Sequence, residues 1–304
     1  MKHGNGQNVN GTLLLSRCEL CPRRCGVDRK SGEAGFCGAG TSVKIARAAL
    51  HMWEEPCISG KTGSGTVFFS GCNMKCVYCQ NYTVSTGGVG YYVTESELAE
   101  KFIMLQEQGA NNINLVTPTH YVPQIISSLD IAKSAGLKIP VVYNCGGYEN
   151  VETIKLLRGY IDVYLPDFKY FSDKYAVEYS GAPKYSNTAK AAIEEMFRQV
   201  GVNAFDNRGI MTKGIIVRHM MLPGLLFDTK KVVDYLHSTY GDDIYISLMS
   251  QYTPVANVSK HPRLCSRINE AHYQAVIDYC IERGIKNVFI QDVSSATQEF
   301  IPDF

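Results

Sequence analysis

From residue 65 onward the chain alternates short apolar runs with longer amphipathic stretches. The runs at 65–70, 113–117, 139–145, 161–168, 214–222, 244–249 and 288–291 have the length and bounding turns of buried strands. Between them, 94–110, 122–135, 149–157, 188–200, 228–240 and 268–283 read as helices. Thr94 stands at an N-cap with Glu97 three residues on, a capping-box pair. Gly136, Gly159, Gly201, Gly241 and Gly284 sit where helices stop. Strand–helix units with short links demand right-handed crossovers and a parallel sheet. Six units and a terminal strand predict an α/β barrel, complete or not, with active groups at the C-terminal strand ends.

The first 58 residues follow another pattern. Residues 1–17 read as a flexible or loosely docked start. Residues 26–40, GVDRKSGEAGFCGAG, are glycine-rich, with too few apolar residues to fold unaided. Residues 42–50 alternate weakly, as an edge strand would. Residues 51–59, HMWEEPCIS, then cross to the barrel; Trp53 reads as packing and Cys57 as a plain buried thiol. The expected division is a small Cys-rich, metal-binding N-terminal lobe with its linker over 1–58 and the barrel over 59–304.

Composition changes the picture at one point, the eleven cysteines. Seven fall in two clusters, and clustered thiols in a reducing compartment indicate metal. The net charge of +1 argues against a nucleic-acid surface. No apolar run reaches the roughly 18 residues of a membrane span, nor is there a signal-peptide core, so a cytoplasmic protein is expected.

The first cluster lies in 71–81, GCNMKCVYCQN, where Cys72, Cys76 and Cys79 form C-x3-C-x2-C with Tyr78 before the last cysteine. Thiolates select iron–sulfur clusters, zinc or Cu(I). Three on one loop leave one iron of a cubane [4Fe–4S] cluster free for a ligand. The bland reading is a structural zinc completed by a distant ligand. The second cluster, Cys18, Cys21, Cys25 and Cys37, is C-x2-C-x3-C-x11-C. Four thiolates suit a closed zinc site or a fully ligated [4Fe–4S] cluster, structural or electron-relaying, and spacing does not separate the two.

The triple-cysteine motif resembles that of the radical S-adenosylmethionine (SAM) enzymes. The wider segment 65–81, GTVFFSGCNMKCVYCQN, is most similar to the pyruvate formate-lyase activating enzyme group, the glycyl-radical activases. The resemblance covers roughly residues 60–255. It implies a partial (β/α)6 TIM-like barrel, a [4Fe–4S] cluster on Cys72, Cys76 and Cys79, and SAM on its open iron. It further implies reductive cleavage of SAM to a 5′-deoxyadenosyl radical that abstracts hydrogen from a protein or peptide, such as a glycyl-radical enzyme. A flavodoxin- or ferredoxin-type reductant would supply the electron.

By the same resemblance Asp167 and Lys169, in LPDFKY, and Arg218, in IVRHMMLPG, contact SAM, as does Tyr78. Asn144 and Gln251, at the third and sixth strand ends, are candidates with Tyr252; turn-forming asparagine is the equal alternative for Asn144. His219 reads as a packed histidine and Cys145 as a buried thiol. Two departures stand out. The Gly-Gly-Glu that holds the SAM amino group elsewhere is replaced by VTPTHY, which offers Thr117, Thr119 or His120. Gln80 stands where activases carry histidine. These departures leave two competing readings: modification of another peptide or small molecule, and a metal or electron-transfer module without catalysis.

Overall fold

A computed structural model describes residues 11–292. Its ten strands are β1 (Val43–His51), β2 (Ser64–Phe69), β3 (Tyr91–Val93), β4 (Ile113–Val116), β5 (Val141–Cys145), β6 (Val163–Pro166), β7 (Ala204–Phe205), β8 (Met211–Met220), β9 (Tyr245–Met249) and β10 (Val288–Ile290). The helices are α1 (Gly11–Ser16), α2 (Pro56–Ser59), α3 (Tyr82–Ser85), α4 (Glu95–Glu107), α5 (Val122–Ser134), α6 (Val151–Leu156), α7 (Asp173–Ser180), α8 (Tyr185–Val200), α9 (Leu226–Tyr240) and α10 (Glu270–Glu282).

The sheet runs β10-β9-β8-β6-β5-β4-β2-β1-β3, with β7 paired to β8. From β2 to β10 every neighbour is parallel. This is the predicted α/β fold with a mostly parallel sheet. Strands β2, β5 and β6 are buried along their whole length, as parallel strands covered by crossover helices are. Leu98, Phe102 and Leu105 of α4, and Val122, Ile125 and Leu129 of α5, bury the helix faces in the same core. Each such side chain contributes about 1.5–3 kcal/mol by leaving water.

The capping box is present. Thr94 N donates to Glu97 Oε2 at 2.7 Å, and Glu97 N donates to Thr94 Oγ1 at 3.2 Å. Thr94→Ala is expected to cost about 1 kcal/mol in urea denaturation.

The structure departs from these expectations at two points and adds one helix. The strand at 42–50 is not an edge: β1 lies between β2 and the short β3, antiparallel to both. Its weak alternation reports half-burial of one face, while its partners are set by chain far away in sequence. It belongs to the sheet although it falls within 1–58. Helix α7 carries no clear pattern in the sequence, because its buried positions are Ala176, Tyr179 and Ser180 rather than aliphatic residues at helical spacing. The expected loose start is a short helix from Gly11, and residues 1–10 lie outside the described residues.

Candidate functional site

The cysteine loop leaves the C-terminal end of β2 and is tied down on several sides. Gly71 N donates to Val84 O, and Val77 N donates to Tyr179 O at the end of α7. Cys72, Cys76 and Cys79 are half-buried. Met74 N donates to Cys72 Sγ at 3.3 Å, and Ser180 Oγ donates to Cys76 Sγ at 3.0 Å. Behind Ser180 stands a relay of hydroxyls. Tyr78 and Tyr170 are 2.6 Å apart, and Tyr170 and Ser180 are 2.7 Å apart. Burial pushes the Cys76 thiol up, and each hydroxyl donating to the next ends the chain of donors on sulfur, which offsets part of that shift.

Cys76 and Cys79 line a cavity of about 250 Å³ at the C-terminal strand ends. Around it the register brings successive strands together. Phe68 is opposite Val116, Val116 opposite Asn144, and Asp167 opposite Arg218. All five line the cavity, with Lys169, Tyr78, Gln80 and Gln251. Asp167 binds Lys169 Nζ at 2.5 Å through Oδ2 and Arg218 Nε at 3.0 Å through Oδ1. Arg218 Nη2 donates to Asn144 Oδ1 at 2.6 Å. The close approach of the β5 and β6 ends requires Gly147, which has φ +76° and whose absent Cβ would collide with the Asp167 carbonyl.

Glu54 completes this network. It lies in the linker after β1, and Arg218 Nη1 reaches its Oε2 at 3.3 Å while Asn144 Nδ2 reaches its Oε1 at 3.4 Å. Burial opposes every charge here. Asp167 is still held below the usual carboxylate range by Lys169 and Arg218. Those cations in turn stay above their ordinary values despite burial, because Asp167 faces both. Glu54 goes the other way: burial pushes its carboxyl up and Arg218 offsets this only in part. Trp53, beside it, lines the cavity and is 63% exposed, so it rims the mouth rather than packing in a core.

The remaining sequence candidates divide. Gln251 lines the cavity, and its carbonyl accepts from Gln80 Nε2 at 3.3 Å, which ties the cysteine loop to the end of β9. Thr117 is half-buried with φ +59°, and its side chain is not among those lining the cavity. Thr119 and His120 point elsewhere: Thr119 donates to Glu149 at 2.7 Å, and His120 Nε2 meets Ser70 O at 2.8 Å. Tyr252 is buried with its hydroxyl on Leu264 O. Cys145 and Cys57 are buried.

His219 is the packed histidine expected. Its Nδ1 donates to Phe168 O at 2.6 Å, and its Nε2 accepts from Thr229 Oγ1 at 3.0 Å. Burial lowers its pKa from 6.5 to about 4. A depressed histidine stabilises the fold above its unfolded pKa, and that contribution is lost as pH falls from 6.5 toward 4. Between pH 7.5 and pH 5 the protein is expected to lose roughly 2 kcal/mol more than His219→Gln does, read from urea midpoints.

In the N-terminal segment Cys18, Cys21 and Cys37 are buried and Cys25 is exposed. Cys18 N donates to Val27 O, and Gly26 N donates back to Cys18 O. Cys25 Sγ accepts from Phe36 N at 3.4 Å, one residue before Cys37.

A mostly parallel α/β sheet with three cysteines and a ring of paired charges at its C-terminal strand ends is consistent with the partial barrel of enzymes that use a [4Fe–4S] cluster with SAM. Residues 66–236 match the Radical SAM superfamily, more than half of the chain, and the chain belongs to that family. It is 28% identical over 275 residues to the uncharacterized protein MJ0674 of Methanocaldococcus jannaschii, covering 87% of this chain and 74% of that one. A second protein of that organism, MJ0808, is 27% identical over 46% of each chain. Among solved structures, SuiB of Streptococcus suis bound to S-adenosylmethionine aligns with a TM-score of 0.50 and 14% identity. That alignment covers 75% of this chain and 50% of SuiB, so the chain spans half the length of that solved relative.

Membership implies a [4Fe–4S] cluster and SAM, and the residues present fit both. Three half-buried thiols on one loop, two of them with N–H or O–H donors, suit a cluster with one iron left to a ligand. The charged ring beside them suits an amino acid zwitterion. Among the described residues, no group of three or more His, Cys, Asp or Glu is gathered closely enough to chelate a single ion.

Proposed function

We propose that this protein is a radical SAM enzyme that cleaves S-adenosylmethionine reductively and abstracts hydrogen from a protein or peptide, in the manner of the glycyl-radical activases. One observation carries the reading. Asp167, Lys169, Arg218, Asn144 and Glu54 converge on the cavity that Cys76 and Cys79 line. An electron carrier has no use for this ring. A cofactor with an ammonium and a carboxylate does.

When bound, the cluster and SAM supply the radical chemistry. The chain's part is to bind and orient. Cys72, Cys76 and Cys79 hold the cluster. Lys169 and Arg218 offer cations to the methionyl carboxylate, and Asp167 and Glu54 offer carboxylates to its ammonium. Their mutual pairing keeps each charge satisfied until the ligand exchanges for a partner. Glu54 thereby takes the part of the absent Gly-Gly-Glu, in place of Thr117. Tyr78 and Gln251 present an aromatic face and an amide on the adenosyl side. The half-exposed Trp53 at the rim and Tyr82 just beyond the loop give a peptide an aromatic surface to lie against. Cytoplasmic residence and a flavodoxin- or ferredoxin-type electron donor belong to the same proposal.

The test is anaerobic reconstitution with iron and sulfide, then SAM titration and 5′-deoxyadenosine analysis under reductant. Cleavage with a full cluster is expected. A full cluster without cleavage overturns the reading in favour of an electron-transfer module. Glu54→Gln is expected to retain the cluster and weaken SAM binding about 10- to 100-fold, equivalent to roughly 1.4–2.7 kcal/mol.

A further inference from the structure

Four cysteines of the N-terminal segment are not used by the proposed SAM site. A tight backbone hairpin between Cys18 and Val27 gathers Cys18, Cys21 and Cys25. Cys37 arrives beside them through the 35–37 turn, where the absent Cβ of Gly35 would stand 2.9 Å from Cys25 Sγ. Within this group lies Arg29, a guanidinium only 3% exposed. Its Nη2 donates to Cys18 Sγ at 2.9 Å and stands 3.8 Å from Cys37 Sγ. Among the described residues it forms no ion pair with a carboxylate. A buried cation without a counter-charge is costly, so anionic sulfur is its natural partner.

The group meets the SAM loop at three places, one of them through His120. Arg29 Nη1 donates to His120 O at 2.6 Å, and His120 Nε2 in turn donates to Ser70 O at 2.8 Å. The carbonyl of Cys37 faces Gly71, and a Cβ on Gly71 would stand 2.6 Å from it. Gly71 has φ +91°, so both the backbone conformation and the approach need glycine. Arg23 Nε donates to Asn73 O at 2.9 Å. Residues 70, 71 and 73 bracket Cys72. A ligand of one group therefore touches the chain next to a ligand of the other, and Cys25 is the exposed member of its group.

We infer that Cys18, Cys21, Cys25 and Cys37 ligate a second [4Fe–4S] cluster, not zinc, and that it is the entry point for the electron the SAM site consumes. The inference rests on the function proposed above. Zinc has no accessible redox change, so contact with the SAM loop would serve it nothing. N–H···S bonds from a buried guanidinium raise a cluster's potential and ease its reduction from outside. The balance is one electron per SAM. A flavodoxin- or ferredoxin-type protein is oxidised by one electron at the Cys25 face, and the second cluster is reduced and reoxidised. The electron ends on the sulfonium, whose C5′–S bond breaks to methionine and a 5′-deoxyadenosyl radical.

The test uses the full chain, reconstituted anaerobically with iron and sulfide. Metal analysis is expected to give about eight irons per chain, falling to about four in Cys21→Ala/Cys25→Ala. Zinc near one per chain beside four irons overturns the inference, and the wild-type protein alone suffices to show it. Arg29→Gln is expected to lower the midpoint potential of one of two clusters resolved by electron paramagnetic resonance; two unmoved potentials overturn the placement. In the double cysteine variant, the ratio of cleavage driven by reduced flavodoxin to cleavage driven by dithionite should fall about tenfold or more. An unchanged ratio overturns the relay. Absence of cleavage in the wild type with either reductant refutes the parent proposal instead.

Discussion

Cys76→Ala is expected to reduce 5′-deoxyadenosine formation to background while leaving the chain folded. The loop offers only three thiols, and Cys57 and Cys145 are buried outside the cavity lining, so neither substitutes. With two ligands left, the loop holds no stable cubane. Folding does not depend on this sulfur. The loop is anchored by Gly71 N on Val84 O, Val77 N on Tyr179 O and Arg23 on Asn73 O, none of which involves Cys76. The loss is one half-buried sulfur and the bond from Ser180, about 1–2 kcal/mol. Iron content, 5′-deoxyadenosine by chromatography and thermal unfolding by circular dichroism decide the matter together. Turnover retained in a correctly folded variant contradicts the assignment of the cluster to this loop.

The residues that were legible share a cause. The cysteine loop, Tyr78 and the capping box are local patterns, where spacing along the chain is spacing in space. Asp167, Lys169 and Arg218 are legible through the family resemblance, and they come together because the neighbouring strands β6 and β8 are parallel and present their C-terminal ends on one face. Their mutual bonds then followed from register, with Asp167 opposite Arg218. Glu54 escaped because β1 is antiparallel to β2, so its C-terminal end belongs to the other strand direction. Only the return of the chain at 52–55 carries the acid back under Arg218. The signal available was two adjacent acids in an otherwise apolar stretch, HMWEEPCI, where Glu55 is also buried. Such acids need partners, and Arg218 was the cation in the sequence most in need of one. Thr117 was chosen by position after β4, but side chains alternate, and it is Val116 that faces the cavity. The lobe contacts were equally out of reach, since the contacts of Gly71 and Asn73 span 34 and 50 residues of sequence.

The second large effect is expected from Arg218→Met. This side chain carries the network: Asp167, Glu54 and Asn144 all depend on it. Methionine keeps the volume and much of the apolar stem, so the change isolates the charge. Glu54 and Asp167 then remain in the same buried site with Lys169 as the one cation among the charged side chains bonded to this network. Breaking a buried pair by removing one partner costs about 3–5 kcal/mol. The sign of its pH dependence follows. Burial already holds Glu54 above its unfolded pKa, and losing Arg218 raises it further. A carboxyl raised in the folded state binds its proton better there, so the variant loses stability as pH rises from the unfolded carboxylate range through the folded value. The gap to wild type should therefore be wider at pH 8 than at pH 5. Adding Glu54→Gln to Arg218→Met removes the orphaned carboxylate and should restore part of the loss, although SAM binding stays absent in both. Urea denaturation at the two pH values, with SAM titration beside it, separates this from a packing defect: a gap below about 1 kcal/mol, or one that does not move with pH, would mean that the guanidinium does not neutralise a buried acid pair.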